Sequence, residues 1–583
     1  MAPHAPCMTS PSLRYAICRS CAARSGAGCS GHPTMRPGRK ETLMRRWLAL
    51  SLLLVGMITA PQEAAAEAPT LVVVLVIDQM RSDYVDRYQH QWSAGLKRLL
   101  SEGAWFRRAA YPYLGTVTCA GHATIATGAY PAQHGMILNG WWDREAARQI
   151  TCTDDAEHAT LSYGGPLNGG VSAARLEAAT LADEIRAQLP GPNRVVALSL
   201  KARSTVMLSG QAADVALWFD DRGSWATSTA YTDHPVPFVK RFIDANPVEA
   251  DTDLTWTRAR PVTDYLFDDD APFERPGDGW SPAFPHPLGD GSGPSAAFFR
   301  RWQKTPLSDV YLGRLAETAV DELSLGQGPG TDYLAIGFSA LDKAGHKFGP
   351  QSHEVQDLLI GLDATIGSLL ERLDRTVGPD RYVVALSADH GVSPIPEAAV
   401  SSGLDGGRVQ ASDIGRRVDA ALSRVLGQAA YVARGNYTGL YFNPGVYDRV
   451  LANPQALRAV KDTILETPGV WQVFRSDQLD GRFIGDGEVA RAVRLSFFPG
   501  RSGDMIMVPR PYWIMSRDAA THGTLHAYDQ RVPVILLGAD IQPGQYLQDA
   551  TPADIAPTLA FLSGVTLAHP DGRVLVEAIR QDR

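Results

Sequence analysis

The hydrophobic pattern of this chain is dominated by short apolar runs that end in polar, chemically useful residues. Residues 71–78 (LVVVLVID) form a continuous β-branched run that stops abruptly at a carboxylate. With no polar alternation, such a run predicts a strand buried on both faces, as in a parallel sheet. The pattern recurs at 194–200 (RVVALSL), 332–342 (DYLAIGFSALD), 382–391 (YVVALSADHG) and 532–540 (VPVILLGAD). Segments of helical period lie between these runs, chiefly at 173–189 and 355–373. Strands alternating with helices predict an α/β fold: a doubly wound, mostly parallel sheet with helices on both faces. Two stretches break the alternation. Residues 220–305, rich in Asp, Pro, Trp, Gly and Phe, read as a loop-rich insertion over the site. Residues 392–520 carry strand–helix–strand at small scale and read as an α+β cap subdomain.

The first 66 residues differ from the rest, with eight Lys/Arg against two acidic residues and four of the six cysteines. From Met44 the order is a basic pair, the run WLALSLLLVGMITA and a small-residue stretch, which predicts an export signal cleaved near Ala66 or Ala68. The run has 14 residues, short of the roughly 20 that a membrane span requires, so no stable membrane anchor is expected. The 43 residues before Met44 lack periodicity, and translation is expected to begin at Met44 or Met35. The expected layout is a removed segment, 1–66, and a periplasmic or secreted catalytic domain, 67–583. Removing the first segment takes the net charge from −8 to near −14, which argues against nucleic acid as a general partner. Only Cys119 and Cys152 then remain, and in an oxidising compartment they are expected to pair.

Candidate chemistry centres on 116–128 (TVTCAGHATIATG), a run of small residues that should open a helix. Small residues admit close backbone approach, and helix N-terminal amides attract anions. Thr118 stands at that turn, either as an ordinary capping residue or as a nucleophile. The other strand ends and nearby loops supply Asp78, Asp342, His346, Asp389, His390 and His522. Three carboxylates and three imidazoles suit two divalent metals with mixed N/O ligands. Asp342 and His346, four apart, share one face of a helical turn, and Gly391 permits the irregular turn that adjacent Asp389 and His390 need. Two metals about 4 Å apart can clamp the attacking and leaving oxygens of an in-line displacement. Asn139, Lys201 and Arg203 are available donors for phosphoryl oxygens. His122 and His134 read as structural, and His526 is a rival to His522.

With these stretches the chain resembles the alkaline phosphatase superfamily, in particular the zinc-dependent, threonine-nucleophile alkaline phosphatases related to nucleotide pyrophosphatase/phosphodiesterases. VVLVID, TVTCAGHATIATG, HGMILNGWWD, LKARS, ALDKAGHKFGP, SADHGV, THGT and DIAPTLAFLSG carry the similarity, which spans 71–563. The resemblance implies two Zn²⁺, one held by Asp342, His346 and His522 and the other by Asp78, Asp389, His390 and Thr118. It implies that Asn139, Lys201 and Arg203 contact the phosphoryl group. It also implies a small-molecule phosphate monoester as substrate, since Lys-x-Arg marks the monoesterase branch. Lys201 then stands where other alkaline phosphatases place magnesium. The alternative is a phosphodiesterase or nucleotide pyrophosphatase. Sulfatases of this fold need a Cys/Ser-x-Pro-x-Arg motif, which Cys119-Ala-Gly-His-Ala does not supply.

Overall fold

Alternate residues of the first apolar run serve two separate cores. Leu71, Val73, Leu75 and Ile77 pack in one, and Val72, Val74 and Val76 in the other. The computed structural model describes residues 68–581 except 166 and 481–486; the expected export signal and the extension before it lie outside the described residues. The described residues form one compact unit, and no described helix is long and apolar enough to cross a membrane.

The main sheet has ten strands among the described residues. In chain order they are β1 (Leu71–Ile77), β2 (Ala104–Ala109), β3 (Thr160–Ser162), β4 (Val195–Ser199), β5 (Val215–Phe219), β6 (Trp225–Ser228), β7 (Asp332–Phe338), β8 (Tyr382–Ser387), β9 (Val534–Gly538) and β10 (Gly544–Ala550). Their spatial order is β10-β2-β9-β8-β1-β7-β4-β5-β6-β3. The central five, β8-β1-β7-β4-β5, are parallel. The helices that matter here are α1 (Thr118–Thr127), α2 (Leu181–Gln188), α3 (Ala202–Ser209), α4 (Pro306–Glu322), α5 (Ala340–Phe348), α6 (His353–Thr376) and α7 (Ile555–Ser563). Leu312 and Leu315 of α4 and Leu358, Leu362 and Ile366 of α6 cover one face of the sheet. Leu181 and Ile185 of α2 and Leu559 and Leu562 of α7 cover the other. This is a doubly wound α/β sheet.

Three local expectations change. The 532–540 run is a strand, but β9 pairs antiparallel with both β8 and β2. It is reached from the His522 loop through a single helical turn, Ala527–Gln530, too short for the dozen or more residues that a parallel crossover needs. Asp540 therefore falls at the edge opposite the other strand-end carboxylates. In 173–189 only α2 is helical. Thr180 starts it through a reciprocal capping box with Asp183, and Asp183 fixes that start more firmly than the apolar period fixes an earlier one. Thr118 is not a capping residue: Val117 occupies that position and Thr118 is the first residue of α1.

Among the described residues of 392–520, four antiparallel strands stand in the order Val432–Asn436, Gly439–Phe442, Met505–Pro509, Val470–Arg475. Helices Ala411–Leu426 and Pro454–Leu465 pack on this sheet through Ile414, Val418, Val460, Ile464 and Met507. The 220–305 stretch packs its turns around Trp256, Trp280, Phe284 and His286.

Candidate metal centre and active site

The parallel register brings the polar strand ends to one edge. Val76 is level with Gly337 and Ser387, and Gly337 is level with Ser199. Residues just beyond these positions are therefore neighbours at the carboxyl edge, where open α/β sheets place their sites. Asp78, Lys201, Asp342, Asp389 and His390 are all buried there. The Lys201 ammonium donates to Asp78 and, at 2.5 Å, to Asp342. It thus stands between carboxylates from two strand ends, which is a more interior position than a phosphoryl contact alone requires.

The three imidazoles share one arrangement. The Nδ1 atom of His346 lies 2.9 Å from the Ala520 carbonyl, that of His390 2.9 Å from Gly391 O, and that of His522 2.9 Å from Thr116 O. A backbone carbonyl on Nδ1 selects the tautomer whose Nε2 lone pair is free. Each Nε2 points at carboxylate: His346 to Asp342 Oδ1 at 3.2 Å, His522 to the same atom at 3.6 Å, and His390 to Asp389 Oδ2 at 3.2 Å and Asp78 Oδ1 at 3.6 Å. Burial pushes His390 and His522 toward the neutral form. In His346 burial is outweighed by the Asp342 carboxylate, which raises its pKa.

Among the described residues, two sets of potential ligand atoms fall within 4.8 Å of one another: Asp78, Asp389 and His390, and Asp342, His390 and His522. The first is the set expected from the sequence. In the second His390 takes the place expected of His346, because its ring stacks on His522 with centroids 3.4 Å apart. His346 adjoins that set through Asp342 and through the His522 ring, whose centroid is 5.1 Å from its own. His526 joins neither; its Nε2 lies 3.0 Å from the Pro509 carbonyl.

Whether these residues suit metal ions is tested by their unmet demands. Asp78 Oδ1, Asp389 Oδ2 and His390 Nε2 are buried and make no hydrogen bond. Three carboxylates face one ammonium, so negative charge is left uncompensated in a desolvated site, which is costly unless cations are present. Burial, and then the Asp342 and Asp389 carboxylates, pushes Asp78 well above the usual carboxylate range. Against burial, His390 and His122 hold Asp389 below that range, as Lys201 and His346 do Asp342. Buried, orphaned N and O donors of this kind fit divalent cations.

Thr118 enters the same edge from α1. Its hydroxyl is buried and makes no hydrogen bond. His122 Nδ1 lies 2.9 Å from the Thr118 carbonyl and 3.2 Å from Asp389 Oδ2, so one ring links the helix start to the carboxylate cluster. Gly121 makes the approach possible: a Cβ there would stand 2.1 Å from the Asp389 carbonyl oxygen. Asn139 Oδ1 accepts from the Cys119 amide at 2.9 Å, which leaves its NH₂ to donate elsewhere. A disulfide joins Cys119 to Cys152, tying α1 to the Gly140–Asp143/Arg148–Thr151 hairpin.

The model of the type I phosphodiesterase / nucleotide pyrophosphatase family matches residues 72–529. The chain belongs to this family. Within it, the chain is 29% identical to alkaline phosphatase PafA of Elizabethkingia meningoseptica, covering 91% of this chain and 97% of that one. It is 28% identical to alkaline phosphatase PhoV of Synechococcus elongatus, covering 88% and 92%. The crystal structure of PafA superposes with a TM-score of 0.80 at 28% identity, over 88% of this chain and all of that one. A PafA variant with one Thr→Ser and Asn, Lys and Arg→Ala changes matches at 0.82, with the same identity and coverage. The chain is thus a hydrolase of the alkaline phosphatase branch.

Arg203, at the first turn of α3, lines a cleft that also holds Lys201, Asp342 and His346. Its Nε is buried without a hydrogen bond. A second cleft, of about 410 Å³, reaches Asn139, His346 and His522 from the side of Asn436 and Tyr437.

Two residues given no chemical role from the sequence lie against the carboxylate cluster. Gln79 adopts φ 72° between β1 and the following helix. Its backbone N–H donates to Asp389 Oδ1 at 3.1 Å and its side-chain amide to Asp342 Oδ1 at 2.7 Å. One strained residue therefore holds carboxylates of both ligand sets, and Gly345 leaves room for its side chain. His122, expected to be structural, lies against Asp389. The only sequence signal for Gln79 was its place after Asp78; for His122 it was the helical interval from Thr118.

Proposed function

We propose that this chain is an exported alkaline phosphatase that hydrolyses phosphate monoesters through a phosphothreonine at a two-zinc centre. The observation that carries the proposal is the buried, unpartnered Thr118 hydroxyl at the start of α1, on a residue whose backbone carbonyl shares the His122 ring with Asp389. Asp78, Asp389 and His390 would hold one ion beside Thr118, and Asp342, His346 and His522 the other. When bound, the ions supply Lewis-acid stabilisation of the attacking and leaving oxygens.

The protein's own groups do the rest. Thr118 Oγ1 forms a bond to phosphorus as the ester P–O bond breaks, and the departing alcohol takes up a proton. Water then attacks the phosphothreonine, releasing phosphate and restoring the hydroxyl. Amides at the start of α1 favour the negative phosphoryl group. The Asn139 NH₂ and the Arg203 guanidinium are donors for its oxygens. Lys201 bonds Asp78 and Asp342 and offsets part of their negative charge at the same edge. The Arg203 cation suits a monoester, which has one more charged oxygen than a diester. The four residues changed in the PafA variant are of the same types and at the same chain spacing as Thr118, Asn139, Lys201 and Arg203, which supports these roles. The Cys119–Cys152 disulfide supports an oxidising, exported location.

The family's description favours a diesterase as the competing reading. Turnover of an aryl phosphate and a bis-aryl phosphate by the purified protein separates the two. The monoester is expected to give the higher kcat/KM, and a diester preference sinks the proposal.

A further inference from the structure

The cleft beside Lys201 and Arg203 has a volume of about 260 Å³ and extends from Asp342 and His346 to the insertion. Four more cations line it: Arg300 and Lys304 from the 220–305 insertion, and Lys343 and Lys347 from α5. Three of these bond carboxylates directly, although Arg300 and Lys304 share one. Arg300 and Lys304 bond opposite oxygens of Asp278 at 2.8 and 2.7 Å, and Lys347 bonds Asp518 at 2.5 Å.

Lys343 is different. Its carboxylate partner is Asp221, 3.9 Å away and 70% exposed, a contact too long and too hydrated to neutralise it. Yet the Lys343 side chain is only 24% exposed. It also stands one helical turn from Lys347, a like-charge pairing that destabilises a helix. Lys343 lines the same cleft as Lys201, Arg203, Asp342 and His346, so it borders the proposed reaction centre. A largely buried ammonium with its carboxylate 3.9 Å away, beside two cations that share Asp278, leaves the cleft short of negative charge and marks where an anion is missing.

We infer that this cleft seats a second oxyanion of the substrate on Lys343. The favoured substrates are then phosphate monoesters whose alcohol part carries another phosphate or a carboxylate. This rests on the phosphomonoesterase reading above. Lys343 is a specificity residue on this account, since it meets the remote anion and not the reacting phosphorus.

The test compares butyl phosphate with butanediol bisphosphate at neutral pH and low salt. The wild type is expected to show a KM for the bisphosphate about fivefold lower, beyond the statistical factor from its two equivalent ends; fivefold corresponds to about 1 kcal/mol, the strong end for a partly exposed ion pair. Lys343→Gln should collapse the KM ratio to the statistical factor, and Lys343→Arg should retain most of it. Added salt should shrink the wild-type ratio. A wild type that hydrolyses both esters at the statistical ratio overturns this inference alone, as does a Lys343→Gln ratio equal to wild type. A wild type that hydrolyses neither overturns the monoesterase reading beneath it.

Discussion

Gly121→Ala tests how tightly α1, which carries the proposed nucleophile, must approach the Asp389 turn, which carries proposed metal ligands. The added Cβ would stand 2.1 Å from the Asp389 carbonyl oxygen and 2.6 Å from its Cα, where ordinary contact begins at 3.4 Å. These are backbone atoms, so no rotamer change relieves the clash. The helix and the Asp389 turn must separate by more than about 1 Å, and Thr118, three residues earlier on the same turn, moves relative to Asp389 and His390. Misplacement of a reacting group by about 1 Å costs about 10²-fold in rate. Stability changes less, since overpacking costs about 1–3 kcal/mol while alanine gains about 1 kcal/mol in helix propensity over glycine. The variant should therefore fold and lose about 100-fold in kcat on an aryl phosphate at saturating zinc. Thermal unfolding run beside the kinetics separates misplacement from unfolding. A folded Gly121→Ala protein with near-wild-type kcat would refute the reasoning, because Thr118 then works without the observed approach to Asp389.

Gln79→Ala should weaken zinc binding about 10- to 100-fold, as loss of a group that orients metal ligands does; chelator competition reads this directly, and unchanged affinity removes Gln79 from the centre. Arg203→Ala should lower kcat/KM for an aryl phosphate more than for a bis-aryl phosphate, and an equal loss on both contradicts its assignment to the extra monoester charge. Chelation should abolish activity and added zinc restore it; a metal-free active protein excludes the scheme. His134 gives a pH prediction away from the metals: burial pushes its pKa down from 6.5 to about 3. The unfolded chain then binds one more proton between those values, so stability is lost as pH falls from 6.5 toward 3. Relative to His134→Gln, wild-type urea stability should fall by about 1.4 kcal/mol per pH unit across that window, and parallel pH profiles would count against a buried neutral ring.

The strand ends were legible because a parallel sheet turns a one-dimensional signal into a shared edge. Once 71–78, 332–342 and 382–391 read as doubly buried strands, Asp78, Asp342 and Asp389 had to meet. The direction of β9 was not legible: apolar content is the same in either sense, and only the shortness of the preceding connection decides it. The start of α2 was hidden by an apolar period that runs through residues held in turns, and the Thr180/Asp183 box decided it. Gln79 left no pattern because its role depends on a positive φ and on two partners far along the chain. The loose charge on Lys343 was equally invisible, since it is defined by which carboxylates fail to reach it.

The central claim is that Thr118 becomes covalently phosphorylated during turnover. Acid quench during the first turnover of a radiolabelled phosphate monoester, followed by peptide mapping, tests it directly. Labelled phosphothreonine at Thr118 is the expected result. Release of the alcohol with no label on the protein, or label on any other residue, would contradict it.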